Sequence, residues 1–477
     1  MKKRLFLSFL ASALLFAACD ISISLPDYKP GNPGVPTNTT RQFWAQDTRN
    51  GSFYTLNAQK LAEGDYCTVW GETGNPRATV DAAEIMKTAY DKDIYPKMIS
   101  VFGYENLEYE GYTFNTMSLA DAALGDDDGK LCILLLDIRD SFNGTTIKSY
   151  VAGYFAPLNF YENDSLPQPY KSNERDMIYV DTNPAVPGDP SSNETLAHEL
   201  QHLMNFVHDY FIRNTLTDTW INEGLSSAAE WVYTGKPDED RLAWYNNQST
   251  TISTGNNFLV WDPDGDLDDY ATVNLFFQWL RLQSGGTSTI YRAISRSSRT
   301  DYNAVLGAMN GYNDWPTLLK TWLAANYINA PNGPYGYMND NVLKAVKART
   351  APSGTRSVDL YPGEGVYSIT ASSGSTPNST GNIRYAGLNS SSRTVDDTAI
   401  FASGALLTYN VDTNLNASPQ TGTTTGVAAS VEAIPESLSV QATLSGPYKV
   451  SAGEMLRRNG YEAYTPPLRL RPGDKDN

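Results

Sequence analysis

Histidine and cysteine are both scarce in this chain, which has three of each among 477 residues. So few cysteines exclude a metal site built from thiolates. Basic residues are also in deficit, because 36 Lys+Arg stand against 53 Asp+Glu and the formal net charge is −17. Such a chain is repelled by phosphate backbones, which argues against a nucleic-acid-binding protein. An apolar run long enough to cross a bilayer as a mature helix is lacking too.

The amino terminus has the pattern of a secretory signal. A positively charged start precedes an apolar run over residues 5–16, and Ala17, Ala18 and Cys19 follow. A cysteine after small residues resembles the bacterial lipobox, in which that cysteine is acylated. We therefore expect residues 1–18 to be a lipoprotein signal peptide, with the mature protein anchored in a lipid bilayer on the extracytoplasmic face of the cell envelope. Ordinary cleavage near Ala18, with an unmodified cysteine, is the alternative.

The remaining chain divides into three segments by composition. Residues 19–40 contain several prolines and glycines and are predicted to be a flexible tether. Residues 41–350 combine strand-like runs with helical periodicity, which predicts an α+β domain. In residues 351–477 the helical period is lost and short β-branched and aromatic runs recur, which predicts a β-sandwich-like domain with a frayed tail.

Two cysteines remain after the signal segment. Cys67 and Cys132 each lie in a strand-like run of apolar residues. In an oxidising compartment the pair can form one disulfide. Two buried free thiols agree at least as well with apolar surroundings. The sequence leaves both alternatives open.

The three histidines fall within eleven residues, and two of them belong to one motif. His198, Glu199 and His202 form an H-E-x-x-H pattern on a predicted helix, so the two imidazoles project from one helix face. Their spacing suits two ligands of a single tetrahedral zinc ion. Glu199 lies beside that position, where a carboxylate can accept a proton from metal-bound water. The pattern predicts a hydrolytic zinc site with Glu199 as general base.

A catalytic zinc ion needs a third protein ligand, and the residues offer two candidates. Glu223 lies in Trp-Ile-Asn-Glu-Gly-Leu, at the start of a second predicted helix, and twenty residues separate it from His202. His208 lies six residues after His202 and completes the spacing of the metzincin motif, with Asn205 at the usual glycine position. The spacing alone does not choose between them.

The H-E-x-x-H motif and the downstream Trp-x-Asn-Glu-Gly-Leu together resemble the gluzincin metallopeptidases, and among them the hyicolysin-like secreted bacterial family. The motifs cover residues 197–233, and a looser order of elements extends over about residues 41–345. The resemblance implies a zincin-like domain and endopeptidase activity on protein or peptide substrates. It also implies one zinc ion bound by His198, His202 and Glu223.

Four further expectations concern the surroundings of this centre. Since no histidine is left over, Tyr270 is the candidate that stabilises the oxyanion. The strand Met177–Asp181 is expected at an edge of the sheet, where extended substrate can pair with it. Glu230 can orient a histidine, but a solvated helix face is the more common place for such a residue. With Glu223 as ligand, His208 is expected at the surface near a helix end.

An acidic run suggests a second metal. Its alternating carboxylates surround a glycine in the manner of a calcium loop, although no closing glutamate follows; they are Asp262, Asp264, Asp266 and Asp268. An acidic turn or helix cap is the other interpretation.

Two other functions also compete with an endopeptidase. One is a surface-binding or adhesion lipoprotein with a structural zinc site, which has no use for a base at Glu199. The other is an exopeptidase, which needs a subsite for a free terminus, and the sequence shows no motif for such a subsite.

Overall fold

A computed structural model describes residues 39–109, 111–124, 128–247, 253, 255–256, 258–261, 266–424 and 448–450. The predicted signal peptide, Cys19, nearly all of the tether, Asp262, Asp264 and the tail lie outside these residues. The described chain combines a strand-rich first part, a run of helices over residues 190–328 and a second set of strands, so the fold is α+β as predicted. Within the described residues no helix has the length and apolar character needed to cross a membrane.

A six-stranded mixed sheet organises the amino-terminal half of the fold. The strands of this half are β1 Thr40–Gln46, β2 Phe53–Glu63, β3 Cys67–Glu72, β4 Leu107–Tyr109, β5 Tyr112–Phe114, β6 Leu131–Leu136, β7 Ser149–Val151, β8 Gly153–Phe155 and β9 Met177–Asp181. The sheet has the order β1-β2-β3-β6-β9-β8, with β3, β6 and β9 parallel and the outer pairs antiparallel. The central strand β6 is wholly apolar and buried, as expected of a parallel strand covered on both faces.

Strand β8 is an edge strand of this sheet, and it lies beside the helix that carries the H-E-x-x-H motif. The expectation that Met177–Asp181 forms the edge is wrong, because β9 lies between β6 and β8. Between β6 and β9 the chain passes through residues 149–155. Within this segment β8 pairs antiparallel with β9 and forms the edge. Pairing between segments so far apart in the chain is decided by the tertiary fold.

The two cysteines are buried, and no disulfide joins them. They lie on neighbouring parallel strands, but Cys132 pairs with Thr68 and not with Cys67. Because side chains alternate between the faces of a strand, this offset of one residue sends the two thiols to opposite faces of the sheet. Cys67 accordingly belongs to the large core under the helices, and Cys132 to the smaller core on the other face. Of the two alternatives, the structure has two buried thiols and no disulfide.

Helices form most of the centre of the fold, and some of them cover the face of the sheet that carries Cys67. They are α1 Val80–Ala89, α2 Tyr95–Phe102, α3 Thr116–Leu124, α4 Pro190–Val207, α5 Thr219–Thr234, α6 Glu239–Asn247, α7 Asp266–Gln283, α8 Thr289–Ser295, α9 Tyr302–Ala308 and α10 Trp315–Ile328. Helix α4 begins after Asp189, whose side chain accepts a hydrogen bond from the Ser192 amide at 2.7 Å, and Pro190 occupies its first turn. The local sequence therefore determines where the H-E-x-x-H helix starts.

The carboxy-terminal part is built from antiparallel strands. They are β10 Ser357–Leu360, β11 Gly365–Thr370, β12 Gly374–Ser375, β13 Ile383–Asn389, β14 Thr394–Asp396, β15 Ala399–Ile400, β16 Gly404–Asn410 and β17 Gln420–Thr423, followed by β18 Tyr448–Val450. A four-stranded sheet has the order β11-β16-β13-β14, and β10 pairs with β17.

The two faces of the four-stranded sheet have different partners. On one face Tyr367 and Leu407 join the large helical core, and the Tyr367 hydroxyl donates to the carbonyl oxygen of Leu323 in α10 at 2.7 Å. On the other face Val366 and Leu406 pack with residues of β10. The β-rich character of this segment is therefore as predicted, while its description as a separate sandwich domain stays a prediction.

Candidate metal centre

Helices α4 and α5 pack against each other and bring the three predicted ligand residues together. The Nε2 atom of His198 lies 3.6 Å from Oε2 of Glu223, and Nε2 of His202 lies 3.5 Å from the same oxygen. The three ligand atoms lie within 4.8 Å of one another. Donor atoms around a tetrahedral zinc ion with bonds of about 2.0–2.1 Å are about 3.3 Å apart. The spacing of these atoms is therefore close to that of zinc ligands.

The chemistry of the donor set also fits a cation. Among the described residues, Oε2 of Glu223 is buried and has no hydrogen-bond partner. A buried carboxylate oxygen without a partner is costly, and a metal ion would remove that cost. Two imidazoles and one carboxylate are the ligand types of catalytic zinc sites, which keep a fourth position open. His198, His202 and Glu223 thus form a candidate metal site.

Each histidine is oriented through its other ring nitrogen. Nδ1 of His198 lies 2.7 Å from Oε1 of Glu230, and Nδ1 of His202 lies 3.0 Å from Oγ of Ser226. The Ser226 hydroxyl donates to the side-chain oxygen of Gln201, so it accepts from His202. Protons on both Nδ1 atoms leave both Nε2 lone pairs for a metal ion.

Glu230 is therefore not on a solvated helix face, as the sequence favoured, but beside a candidate ligand. Its side chain is only 20% exposed and contacts His198, whereas the sequence favoured a solvated helix face. Helix periodicity places Glu230 two turns after Glu223 on α5, and this is the signal that could have identified it. Ser226 lies in the motif segment, three residues after Glu223, but nothing in the sequence pairs it with His202.

The carboxylates around the histidines favour positive charge at this point. Burial by itself lowers the pKa of His198, but the neighbouring carboxylates of Glu223 and Glu230 outweigh burial and raise it to about 10. For Glu223 burial acts in the opposite direction, yet His202 and His198 hold the pKa of its carboxyl well below the usual range. The pocket is therefore built for a cation, whether a proton or a metal ion.

Glu199 lies between the histidine pair and the edge strand β8. Its Oε2 accepts a hydrogen bond from the Phe155 amide at 2.9 Å. The strand can approach the helix this closely because position 153 is glycine: a Cβ there would lie 2.8 Å from both the Thr195 Cγ2 atom and the Tyr179 carbonyl oxygen. The carboxylate of Glu199 is consequently held at the floor of the cleft that contains the candidate ligands.

The glycine after Glu223 has a packing role. A Cβ at Gly224 would overlap the buried ring of Phe277 in α7. Helix α5 can therefore lie close to α7 only with glycine at this position, which explains the Glu-Gly pair in structural terms.

A cleft of about 370 Å³ opens above the candidate ligands, and Tyr270 lines it together with Arg241 and Trp261. The Tyr270 ring meets Trp261 edge-on at 5.0 Å between centroids. The Arg241 guanidinium lies over the same ring, 4.8 Å from its centroid. The structure thus places the predicted tyrosine in the cleft, and it adds an arginine that sequence reasoning did not select.

The predicted calcium loop is described only in part. Asp262 and Asp264 lie outside the described residues, and Asp266 begins α7. Asp268 is buried and accepts a hydrogen bond from the indole nitrogen of Trp244. A calcium ion at this place stays a prediction.

His208 lies apart from the other two histidines. Helix α4 does not break at Asn205 but continues into a π-helical turn, so His208 is only 1% exposed. Its Nε2 lies 2.9 Å from Oγ1 of Thr116, and its ring packs edge-on against Tyr104. Burial, reinforced by nearby arginines, keeps its pKa well below the usual value, so the ring is neutral. The expectation of a charged surface residue is wrong, because Thr116 of α3 and Tyr104 pack against the ring.

Removing either orienting partner should weaken metal binding. We expect Glu230→Gln and Ser226→Ala each to lower zinc affinity about 10- to 100-fold, because the imidazoles lose the groups that hold their tautomer and direction. Competition with a chromophoric chelator measures this affinity. Ser227→Ala, at the neighbouring position on α5, is the matched control. If both variants bind zinc as the wild type does, the orienting role is refuted.

Comparison with known proteins supports the same chemistry. No protein-family model matches the chain. Over 199 residues the chain is 35% identical to the neutral metalloprotease ShpI of Staphylococcus hyicus. This alignment covers 40% of the chain and 43% of the relative, so less than half of the curated relative is matched. The chain is thus a homologue of a neutral metalloprotease, and the resemblance to the hyicolysin-like metallopeptidases is confirmed.

Proposed function

We propose that this protein is a zinc-dependent metalloendopeptidase in which His198, His202 and Glu223 hold the metal. The observation that carries the proposal is the convergence of two Nε2 atoms on one partnerless carboxylate oxygen. Glu199 shares the cleft with these three residues. The similarity to a neutral metalloprotease supports the same reaction class. His208 is a weaker candidate for the third ligand, since its Nε2 is engaged with Thr116.

Glu199 performs the proton transfers of the proposed reaction. When bound, zinc supplies a Lewis acid that makes water a better nucleophile and polarises the substrate carbonyl. Glu199 accepts the proton of the attacking water and then donates it to the leaving amine. The hydrogen bond from the Phe155 amide keeps one of its oxygens in place through both transfers.

Charge that develops on the substrate carbonyl oxygen needs a further partner. Tyr270 remains our candidate, because its ring lines the cleft. Arg241 lies over that ring and offers a permanent positive charge in the same place. The two side chains stack, so a substitution at either position is expected to disturb the other.

The substrate is proposed to bind as an extended peptide along β8. This strand is the edge of the six-stranded sheet, and residues 152–155 line the cleft. An edge strand offers main-chain groups to an added strand, which gives affinity without strong dependence on side chains. Such binding suits an endopeptidase that acts on unfolded segments of protein.

We further propose that the enzyme acts outside the cytoplasm as a lipoprotein. The support is the signal pattern in residues 1–18 and the position of Cys19 after two alanines. Acylation of Cys19 would hold the catalytic part at the membrane surface. Labelling of cells with a fatty-acid analogue, comparing wild type with Cys19→Ser, tests this assignment.

A direct assay tests the proposed activity. Residues 20–477 are expressed, their zinc content is measured, and casein is digested with and without 1,10-phenanthroline. We expect about one zinc ion per chain and cleavage that stops on chelation and returns with added zinc. A zinc-loaded protein that leaves casein intact, or cleavage that survives complete removal of zinc, contradicts the proposal.

A further inference from the structure

The last described strand of the chain returns to the candidate active site. β18 pairs in parallel with β7, and Lys449 lies opposite Tyr150 in this pair. Only Ala152 separates β7 from β8, the edge strand along the cleft. β18 lies about 300 residues after β7 in the chain. It therefore extends, as an added strand, the segment β7–β8 that contains the candidate substrate-binding edge.

The side chain of Lys449 enters the cleft from this strand. Its Nζ donates to the carbonyl oxygen of Ser191 at 3.0 Å and to Oγ1 of Thr195 at 2.9 Å, both on α4. Thr195 lies one turn before Glu199 on the same helix. Lys449 lines the cleft that contains the candidate metal ligands and also the adjoining groove. Two specific hydrogen bonds hold its ammonium group there.

The groove that receives this ammonium group is acidic. Without Lys449, its lining carries six carboxylates and three basic side chains; the carboxylates are Asp93, Glu194, Glu230, Asp238, Glu239 and Asp240. Glu194 and Glu230 are close enough for the charge of Lys449 to stabilise both as carboxylates. Burial, opposed in part by Lys449, raises the pKa of Glu194 to about 7. Removing Lys449 would leave six carboxylates facing three basic side chains in this groove beside the metal site.

We propose that β18 is a built-in occupant of the stretch of the substrate-binding surface that β7 provides next to β8, and that the Lys449 ammonium fills a subsite which takes a basic side chain of the substrate. The strand pairing and the seated ammonium resemble what a bound peptide with a lysine or arginine would present. This inference rests on the proposed peptidase function. Because β18 belongs to the same chain, it competes at an effective concentration on the order of millimolar, and substrates must displace it.

Peptide binding without turnover tests the inference. Zinc-loaded Glu199→Gln protein is titrated into fluorescein-labelled (Ala-Lys)4 or (Ala-Glu)4, and anisotropy gives the affinities. Adding Lys449→Ala should raise affinity for the lysine peptide at least about ten-fold, since the competing cation and its two hydrogen bonds are gone. Affinity for the glutamate peptide should change little, because the vacated groove repels it. Lys347→Ala, which removes an exposed lysine outside both the cleft and the groove, is the matched control and should leave both affinities unchanged.

The outcomes separate this inference from the proposed function. Unchanged affinity for the lysine peptide in Lys449→Ala, or an equal rise for both peptides, overturns the inference. Hydrogen exchange at residues 149–151 adds a second readout, and we expect faster exchange in Lys449→Ala as β18 detaches. If the wild type cleaves no casein, the proposed function fails, but the comparison of peptide affinities still decides whether Lys449 occupies a basic subsite.

Discussion

Glu199→Gln should retain zinc and lose peptide hydrolysis by about 10²- to 10⁴-fold, the range that a general acid–base group contributes. Glutamine keeps the shape of the side chain, and its amide oxygen can still accept the hydrogen bond from the Phe155 amide. It has no basic oxygen, so it cannot take a proton from water. The candidate ligands His198, His202 and Glu223 are unchanged by this substitution. Initial rates on casein and zinc content per chain give the two quantities to compare.

A control substitution shows whether the loss of a glutamate charge elsewhere in the protein has the same effect as Glu199→Gln. Glu84→Gln removes an exposed glutamate of α1 that pairs with Lys87, far from the motif in the chain. We expect it to leave both zinc content and rate as in the wild type, since exposed ion pairs contribute little. Equal rates in Glu199→Gln and the wild type would refute Glu199 as the base. Loss of zinc in Glu199→Gln would instead indicate that this residue supports the metal site.

Glu223→Ala should lower zinc affinity at least about 100-fold, whereas His208→Ala should keep zinc and lower stability. Glu223 offers the one oxygen on which both histidine Nε2 atoms converge, so its removal leaves a site with two protein ligands. His208 is buried against Thr116 and Tyr104, and truncation there opens a cavity worth about 2–4 kcal/mol. Chelator competition measures zinc affinity, and urea denaturation measures the free energy of unfolding.

Two conservative variants test zinc binding with less risk that the protein fails to fold. Glu223→Gln retains the volume of the ligand, and His208→Gln retains a polar group for Thr116. We expect zinc loss in the first and zinc retention in the second. Loss of zinc confined to the His208 variants would make His208 the third ligand and would place the chain with the metzincins.

The pair of histidines could be predicted because its geometry is local. An i, i+4 spacing on a helix determines which face both imidazoles occupy, whatever the rest of the fold does. The start of that helix is also local, since Asp189 and Pro190 form its cap and first turn. The neutral burial of His208 could not be predicted in this way. It depends on Thr116 and Tyr104, which are about ninety or more residues away in the chain.

The partners of the histidines likewise depend partly on local spacing and partly on tertiary packing. Helical spacing allowed Glu230 to be considered, but only the packing of α5 on α4 places its carboxylate 2.7 Å from His198. Neither Ser226, which follows the Glu-Gly pair, nor Arg241 was assigned a role from the sequence. Lys449 had none either, and its place beside α4 comes from the pairing of β18 with β7.

The sequence by itself determined the composition of the chain, namely its few histidines and cysteines and its acidity. It also determined the H-E-x-x-H helix and the Glu-Gly pair, because spacing within one element needs no tertiary information. Tertiary structure alone decided that β8 and not β9 is the edge, that Cys67 and Cys132 face opposite sides of the sheet, and that a carboxy-terminal lysine lies in the cleft. The physical reason is that strand register and helix packing depend on contacts between distant segments. A single side-chain pattern is compatible with several such arrangements, and only the folded chain selects one.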